Sequence, residues 1–336
     1  MISLDRIVVN VYVPSHRKEA GWENHERHGM TSNGGNTSGN DLTAIRELGR
    51  ERLVGGLQER TLEKSAAELL PYLRTDMSVL DVGCGPGTLT MEVADIVAPG
   101  HVVGTDLVAH RLETAARDAE EANIENVSFT VSDAHTLDFP DNSFDVVFSN
   151  TVFHFFIDPV EALKEQRRVA KDGGWVLASG VRDWGFSPRY PECPNVDAVW
   201  EAYVRHNEDI RERHMTGQKV GLPEDWALPE FRYIDLHAGR RCSEWFTEAG
   251  LTDLTMELKI ERWLHRDIDK MEPHGLDIVP QIGDIDNMWL DSQAQIIDAG
   301  PLDEGMLNRA RQELVEWYEN PHAFYYYALL FVAGRA

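Results

Sequence analysis

Three glycines and two acidic residues, each at the end of an apolar run, carry the chemistry that can be read from this chain. The stretch VLDVGCGPGTLT, Val79–Thr90, is apolar until it breaks at Gly83, Gly85 and Gly87, and then resumes with helix-forming residues. Asp106 closes the run VVGTDL and Asp133 closes FTVSDAH. A carboxylate at the first place can accept from both hydroxyls of a ribose, and one at the second from an exocyclic amine such as that of adenine. A dinucleotide fingerprint needs glycines spaced G-x-G-x-x-G to seat a pyrophosphate on the helix N-terminus. Here the spacing is G-x-G-x-G, with Pro86 stiffening the turn and Thr88 where the third dinucleotide glycine would fall. No Gly-Lys-Ser/Thr follows, so the loop is not a P-loop either. The set describes an adenosine with a compact, phosphate-free tail.

Those residues need strands to end on, and the pattern around them supplies strands. Strands are predicted at Ser78–Gly83, Val102–Asp106, Val127–Ser132, Phe144–Asn150 and Gly174–Gly180, with helices at Leu89–Ala98, Ala109–Ala122 and Pro159–Ala170. Such alternation predicts an α/β fold, a parallel sheet covered by helices, with the ligand crevice at the carboxyl ends of the strands. The pattern pauses from Val181 to Ala238, resumes with helix Arg240–Ala249 and strand Leu254–Ile260, and pauses again to about Asn320. It ends in FYYYALLFVAG, apolar on both faces and therefore a strand inside the sheet. Upstream, Asp41–Leu73 reads as helical, with Leu62, Ala66, Leu69 and Leu70 on one face. The resulting plan is an N-terminal segment and lid over 1–60, a cofactor core over 61–181, a cap insertion over 182–238, and the rest of the sheet over 239–336, with a second cap insertion at about 262–320. The lid assignment rests on the glycine- and asparagine-rich loop His28–Asn40.

Charge and composition narrow the partners. With 32 basic against 57 acidic residues the formal charge is −25, which repels polyanions and argues against nucleic acid. The N-terminal MISLDRIVVNVYVPS has neither the length nor the flanks of a signal peptide or membrane span, which gives a cytoplasmic expectation. Its IVVNVYV reads as an edge strand or an arm for oligomerisation. Three scattered cysteines, Cys84, Cys193 and Cys242, form neither a disulfide framework nor a zinc site.

Taken together, VLDVGCGPG, VVGTDL, VSDAHTLDFPDNSFDVVFSN and the RVAKDGG turn resemble the S-adenosylmethionine-dependent methyltransferases of class I, with a seven-stranded Rossmann-like sheet, in particular the ubiquinone/menaquinone-biosynthesis-like branch that acts on small molecules. The resemblance implies S-adenosyl-L-methionine as cofactor. It places Gly83, Gly85 and Gly87 along the methionine part, Asp81 near its amino group, Asp106 at the ribose and Asp133 and Ala134 at the adenine, and counts Leu107 and Ser149 among the cofactor-binding residues.

Methyl transfer from a sulfonium mainly requires alignment and the removal of at most one proton. Ser149-Asn150-Thr151 follows the fourth strand where metal-dependent relatives place acidic ligands, so no metal is expected. His154 is the candidate base or acceptor contact; as a base it would give an ascending pH limb near neutrality. Asp158, four residues on, is the nearby carboxylate that could orient it. Asp183 and Trp184, past the fifth strand, and Trp200 complete the candidate acceptor site. Six of the nine tryptophans, Trp184, Trp200, Trp226, Trp263, Trp289 and Trp317, fall in the caps, which suits an apolar or aromatic small-molecule acceptor, although packing accounts for most of them. His206, His214 and His237 share the first insertion, and their irregular spacing favours solvated or pocket roles over a metal cluster. The sequence thus predicts metal-independent O-, N- or C-methylation of a small metabolite. The competing classes are a protein or peptide methyltransferase and a non-catalytic regulator that binds the cofactor.

Overall fold

A computed structural model describes residues 7–11, 60–183, 189–217, 235, 237–264 and 303–336. Seven strands form the body of one sheet: β2 (Ser78–Val82), β3 (His101–Asp106), β4 (Val127–Val131), β5 (Phe144–Asn150), β6 (Ala170–Asp183), β8 (Thr252–Leu264) and β9 (Phe324–Arg335). Their order across the sheet is β4-β3-β2-β5-β6-β9-β8. The order reverses at β2, so β3 and β5 flank it and a crevice opens at their carboxyl ends. Two short strands extend this body: β1 (Ile7–Val11) pairs in parallel with β8 at the edge, and β7 (Arg189–Tyr190) pairs with β9. IVVNV is thus an edge strand.

Crossover helices cover both faces. On one side lie α1 (Leu62–Ser65), a 3-10 turn at Ala67–Tyr72, and α2 (Thr88–Val97), packed on Val79, Val146, Phe148 and Leu177. On the other, α4 (Pro159–Val169) and α6 (Ala238–Glu248) pack through Leu163, Trp245 and Phe246 on Leu80, Val147 and Val176. Helix α3 (Ala109–Glu121) follows β3. Asp158 caps α4 by accepting from the Glu161 N–H at 3.1 Å, so this carboxylate serves the helix.

Two expectations change. The helix predicted over Asp41–Leu73 lies outside the described residues up to position 59 and is short and broken thereafter, with Leu70 exposed rather than on the buried face of Leu62, Ala66 and Leu69. The break falls at Ala66, whose φ is −155°, and beyond it Pro71, which lacks an N–H, lies within a 3-10 turn. The last strand lies inside the sheet as predicted, but β9 runs antiparallel to both β6 and β8. Apolar periodicity reports burial and carries no strand direction. An antiparallel neighbour can be entered from the edge where the previous strand ended. Both interruptions therefore leave from the carboxyl edge: one after Asp183 of β6, the other between Leu264 of β8 and Phe324 of β9, which face each other in the ladder. Helices from the two insertions, α5 (Pro194–Met215) and α7 (Glu304–Glu319), are joined by Glu313, which accepts from the Asn195 amide at 3.0 Å and the Val196 N–H at 2.9 Å.

The centre of the sheet bears most of the packing load. Replacing the fully buried Phe148 by alanine is expected to lower the unfolding free energy by about 3–5 kcal/mol, measured by urea denaturation of the whole chain.

Candidate active site

The glycine loop is built by conformations that only glycine adopts easily. Gly83, Gly85 and Gly87 have φ of 81°, 55° and 76°. A methyl group on Gly83 would lie 2.7 Å from Val152, and one on Gly87 2.8 Å from both Ala115 and Phe129, so these two are closed in by protein. Beside Gly85 nothing stands within 4 Å of that position, and this is the open side of the loop. The backbone is tied to β3, since the Gly83 and Cys84 N–H groups both donate to the Thr105 carbonyl, at 2.7 and 2.8 Å.

Three carboxylates surround the loop in different states. Asp81, 2% exposed, accepts from the Thr90 hydroxyl at 2.7 Å. Burial pushes its pKa up to about 7, against the Thr90 hydrogen bond and with help from the negative charge of Asp106. Asp106, 9% exposed, uses Oδ2 to accept from the Gly85 N–H and Oδ1 from the Val108 N–H, both at 2.9 Å, with Arg111 3.9 Å from Oδ1. Each oxygen of an ionised carboxylate has a second acceptor position, so a diol can still be bound there. Leu107 beside it is 59% exposed, an apolar side chain held at the mouth. Asp133 accepts from the His135 N–H at 2.9 Å and from its ring Nδ1 at 2.8 Å, both on Oδ1. Burial raises its pKa, but the backbone and ring hydrogen bonds of His135 and its charge outweigh this and hold the carboxyl below its usual range. Ala134 is buried behind it.

The ends of β5 and β6 form the second half of the site. Ser149 is fully buried and its hydroxyl has no hydrogen-bond partner among the described residues. Asn150 donates to the Ser179 hydroxyl at 3.0 Å and to the Ser65 carbonyl at 3.3 Å, while its oxygen accepts from Arg60 at 3.2 Å. Ser179 in turn donates to Glu68. His154 lies on a 3-10 turn, Phe153–Phe155, and is 1% exposed. Burial first, and then the Arg182 and Arg60 charges, hold its imidazole well below the ordinary histidine value. It is therefore neutral at pH 7, and any pH limb it would set as a base lies below neutrality.

The other acceptor candidates divide. Asp183 is buried, but its carboxylate is held by Arg240, whose Nε and Nη2 each lie 2.8 Å from it and whose backbone N–H lies 3.0 Å away. The β6–β9 register shifts between Ala178 and Val181, at Gly180 with φ 62°, and beyond this bulge the Asp183 carboxylate faces Arg240 of α6. Trp184, Trp226 and Trp289 lie outside the described residues. Trp200 sits half-buried on α5, and Trp317 is buried on α7. Arg60, Glu68, Ser179 and Arg182 were not found from sequence. Arg60 meets Asn150 across 90 residues of chain, and no local spacing signals such a contact. Among the described residues no group of three His, Cys, Asp or Glu is placed to hold a metal.

A family model described as "Methyltransferase domain" matches residues 73–221. An "Uncharacterized methyltransferase" of Schizosaccharomyces pombe is 32% identical over 214 residues, covering 61% of this chain and 74% of its own. A "Probable methyltransferase" of Aspergillus luteorubrus is 36% identical, covering 44% of this chain and 54% of its own. A "Demethylmenaquinone methyltransferase" of Listeria monocytogenes is 32% identical, covering 52% and 70%. The chain belongs to the S-adenosylmethionine-dependent methyltransferases.

The residues fit this cofactor. The loop is open at Gly85, the Ser149 hydroxyl is buried without a partner among the described residues, and Asp133 Oδ2 makes none of the hydrogen bonds that occupy Oδ1. When bound, S-adenosylmethionine supplies a methyl group already activated on a sulfonium. The methyltransferase core contributes a glycine loop whose shape is fixed by its own hydrogen bonds, together with carboxylate acceptors held before any ligand arrives.

Two outcomes follow from the carboxylates. Asp106→Ala should weaken S-adenosylhomocysteine binding by at least about 1–3 kcal/mol in calorimetric titration, the cost of a charge-assisted hydrogen bond, because the variant also releases the Gly85 amide. Unchanged affinity would remove Asp106 from the site. For Asp81, the folded protein keeps a proton up to about pH 7 that the unfolded chain loses near pH 4, so stability from this group is present at low pH and is lost as pH rises through 7. Asp81→Asn should therefore gain on the wild type in melting temperature between about pH 4 and 8. A constant difference between the two would show an ordinary Asp81 pKa.

Proposed function

We propose that this methyltransferase acts on a small, apolar or aromatic metabolite, methylating oxygen, nitrogen or carbon without a metal. The observation that supports the reading is the burial of three polar side chains, His154, Asn150 and Arg182, at the carboxyl ends of β5 and β6, where the acceptor is proposed to sit. A protein side chain or nucleic acid strand would need that end open. The lining around His154 is aromatic, with the Phe155 ring 4.1 Å from the imidazole and Phe153 and Phe156 buried beside it. The Listeria relative is named for demethylmenaquinone, an acceptor of the same class. The two insertions, whose helices α5 and α7 are joined at Glu313, serve as the cap.

The roles proposed for the cofactor end follow the geometry. Gly83, Gly85 and Gly87 border the methionine part and Asp81 lies near its amino group. Asp106 accepts from the ribose hydroxyls with Leu107 beside it, and Asp133 accepts from the adenine amine next to Ala134. Ser149 lines the floor. His154 contacts the acceptor as a neutral imidazole. It accepts or donates a hydrogen bond that orients the nucleophile, and with its pKa lowered it is a weak base.

Three measurements test this reading. A screen with tritiated cofactor over metabolite pools and over peptides should label the small-molecule fraction; label confined to peptides would overturn it. Activity on the acceptor so found should survive EDTA, and loss restored by magnesium would contradict a metal-free site. His154→Ala should mainly raise the acceptor KM, and wild-type kcat should be flat from about pH 6.5 to 8. A fall in kcat of about 10²–10⁴-fold would instead make His154 the general base.

A further inference from the structure

The turn that follows β4 contains a contact that the family motifs do not account for. Asp133 accepts the N–H of the residue two ahead, an Asx turn closed by the Thr136 N–H to the Asp133 carbonyl at 3.0 Å. The side chain of that same residue, His135, returns to the same carboxylate oxygen, with ring Nδ1 at 2.8 Å from Oδ1. An ionised carboxylate only accepts, so Nδ1 carries the proton in this pair. The imidazole is held on its other side by Phe156, edge to face with ring centroids 5.8 Å apart. The segment beyond is clamped to α4. Glu165 accepts from the Leu137 N–H at 2.9 Å, and Arg168 donates to the Leu137 and Phe139 carbonyls, both at 2.8 Å.

We propose that His135 is a positioning residue for adenine recognition, fixing the Asp133 carboxylate through Oδ1 so that Oδ2 is the oxygen presented to the exocyclic amine. The proposal rests on the reading of Asp133 as the adenine acceptor. A carboxylate held by backbone N–H alone can rotate about its Cβ–Cγ bond, a broad torsion with little intrinsic preference. A second donor on the same oxygen removes that freedom. Half of the Asp133 side chain, 48%, is exposed, so water competes for Oδ2 and the orientation of the group governs how well an amine displaces it. His135 is 26% exposed and meets the core only at the Phe156 ring, so its replacement is expected to leave the fold standing.

The experiment is a cycle between protein and ligand, read by calorimetric titration of the full chain. The ligands are S-adenosylhomocysteine and its analogue with hydrogen in place of the 6-amino group. The wild type should prefer the amine-bearing ligand, and Asp133→Ala should abolish the preference. His135→Ala should reduce the preference about 3- to 10-fold, the scale of one hydrogen bond, while affinity for the amine-free analogue stays nearly unchanged. His135→Asn, whose amide N–H stands near the position of Nδ1, should restore part of it. If His135→Ala weakens both ligands equally, or neither, while Asp133→Ala still abolishes the preference, the positioning role is refuted and the Asp133 reading stands. If Asp133→Ala leaves the preference intact, the Asp133 reading fails and this proposal fails with it.

Discussion

The hydrogen bond from the Gly85 N–H to Asp106 is the constraint on which the cofactor end depends. A loop of three left-handed glycines gains flexibility in the unfolded chain and exposes amides that a helix or strand would have paired. Two of those amides go to the Thr105 carbonyl and the third to the Asp106 carboxylate, so both partners belong to consecutive residues at the end of one strand. The loop can hold its shape only where β3 runs alongside β2, and the parallel register of the two strands, with Val82 opposite Thr105, secures that. A single side chain thereby shapes the loop, and in the role proposed for Asp106 it would link cofactor affinity to the stability of the turn.

The same arrangement explains why three carboxylates can share a small site in a chain already at −25. They are not equally charged. Asp106 is compensated by two amides and Arg111, and Asp133 by His135. Asp81 has one hydroxyl and lies next to Asp106, and burial raises its pKa to about 7, so it holds its proton below neutral pH. Neutralisation at that point spares the fold a buried unpaired charge. It also leaves a group that can ionise when an ammonium comes near, since an opposite charge favours the carboxylate form.

How far the sequence reached depended on whether a feature was local. Strand β5 was legible over its full span, Phe144–Asn150, because a turn sequence and a polar triplet bound an apolar run. The positions of the glycine loop after β2, of Asp106 at the end of β3 and of Asp133 two residues past β4 were legible because each follows an apolar run. Strand direction was not, and β9 shows why: burial on both faces reads the same for parallel and antiparallel neighbours. The aim of Asp183 was also hidden. Its position past β6 suggested the acceptor end, but a bulge at Gly180 resets the alternation. Val181 consequently returns to the core that Ala178 faces, and Asp183 turns toward Arg240. The approach of Arg60 to Asn150 lies beyond any local pattern.

The Gly180 bulge has a second effect, on charge. A methyl group on Gly180 would lie 2.7 Å from the Thr151 hydroxyl, so the end of β5 and the bulge of β6 approach more closely than side chains would allow. The close approach keeps Asn150 against Ser179 and brings the β5 end, with His154 beyond it, under Arg182. The bulge thus sorts neighbouring residues by sign, sending the Asp183 carboxylate to α6 and leaving the Arg182 charge near the histidine. An imidazole so placed is neutral through the physiological range and cannot switch with small changes in pH. On the function proposed above, an acceptor at this end would be aligned in a positive field, and its proton would be lost through its own acidity more than to a protein base.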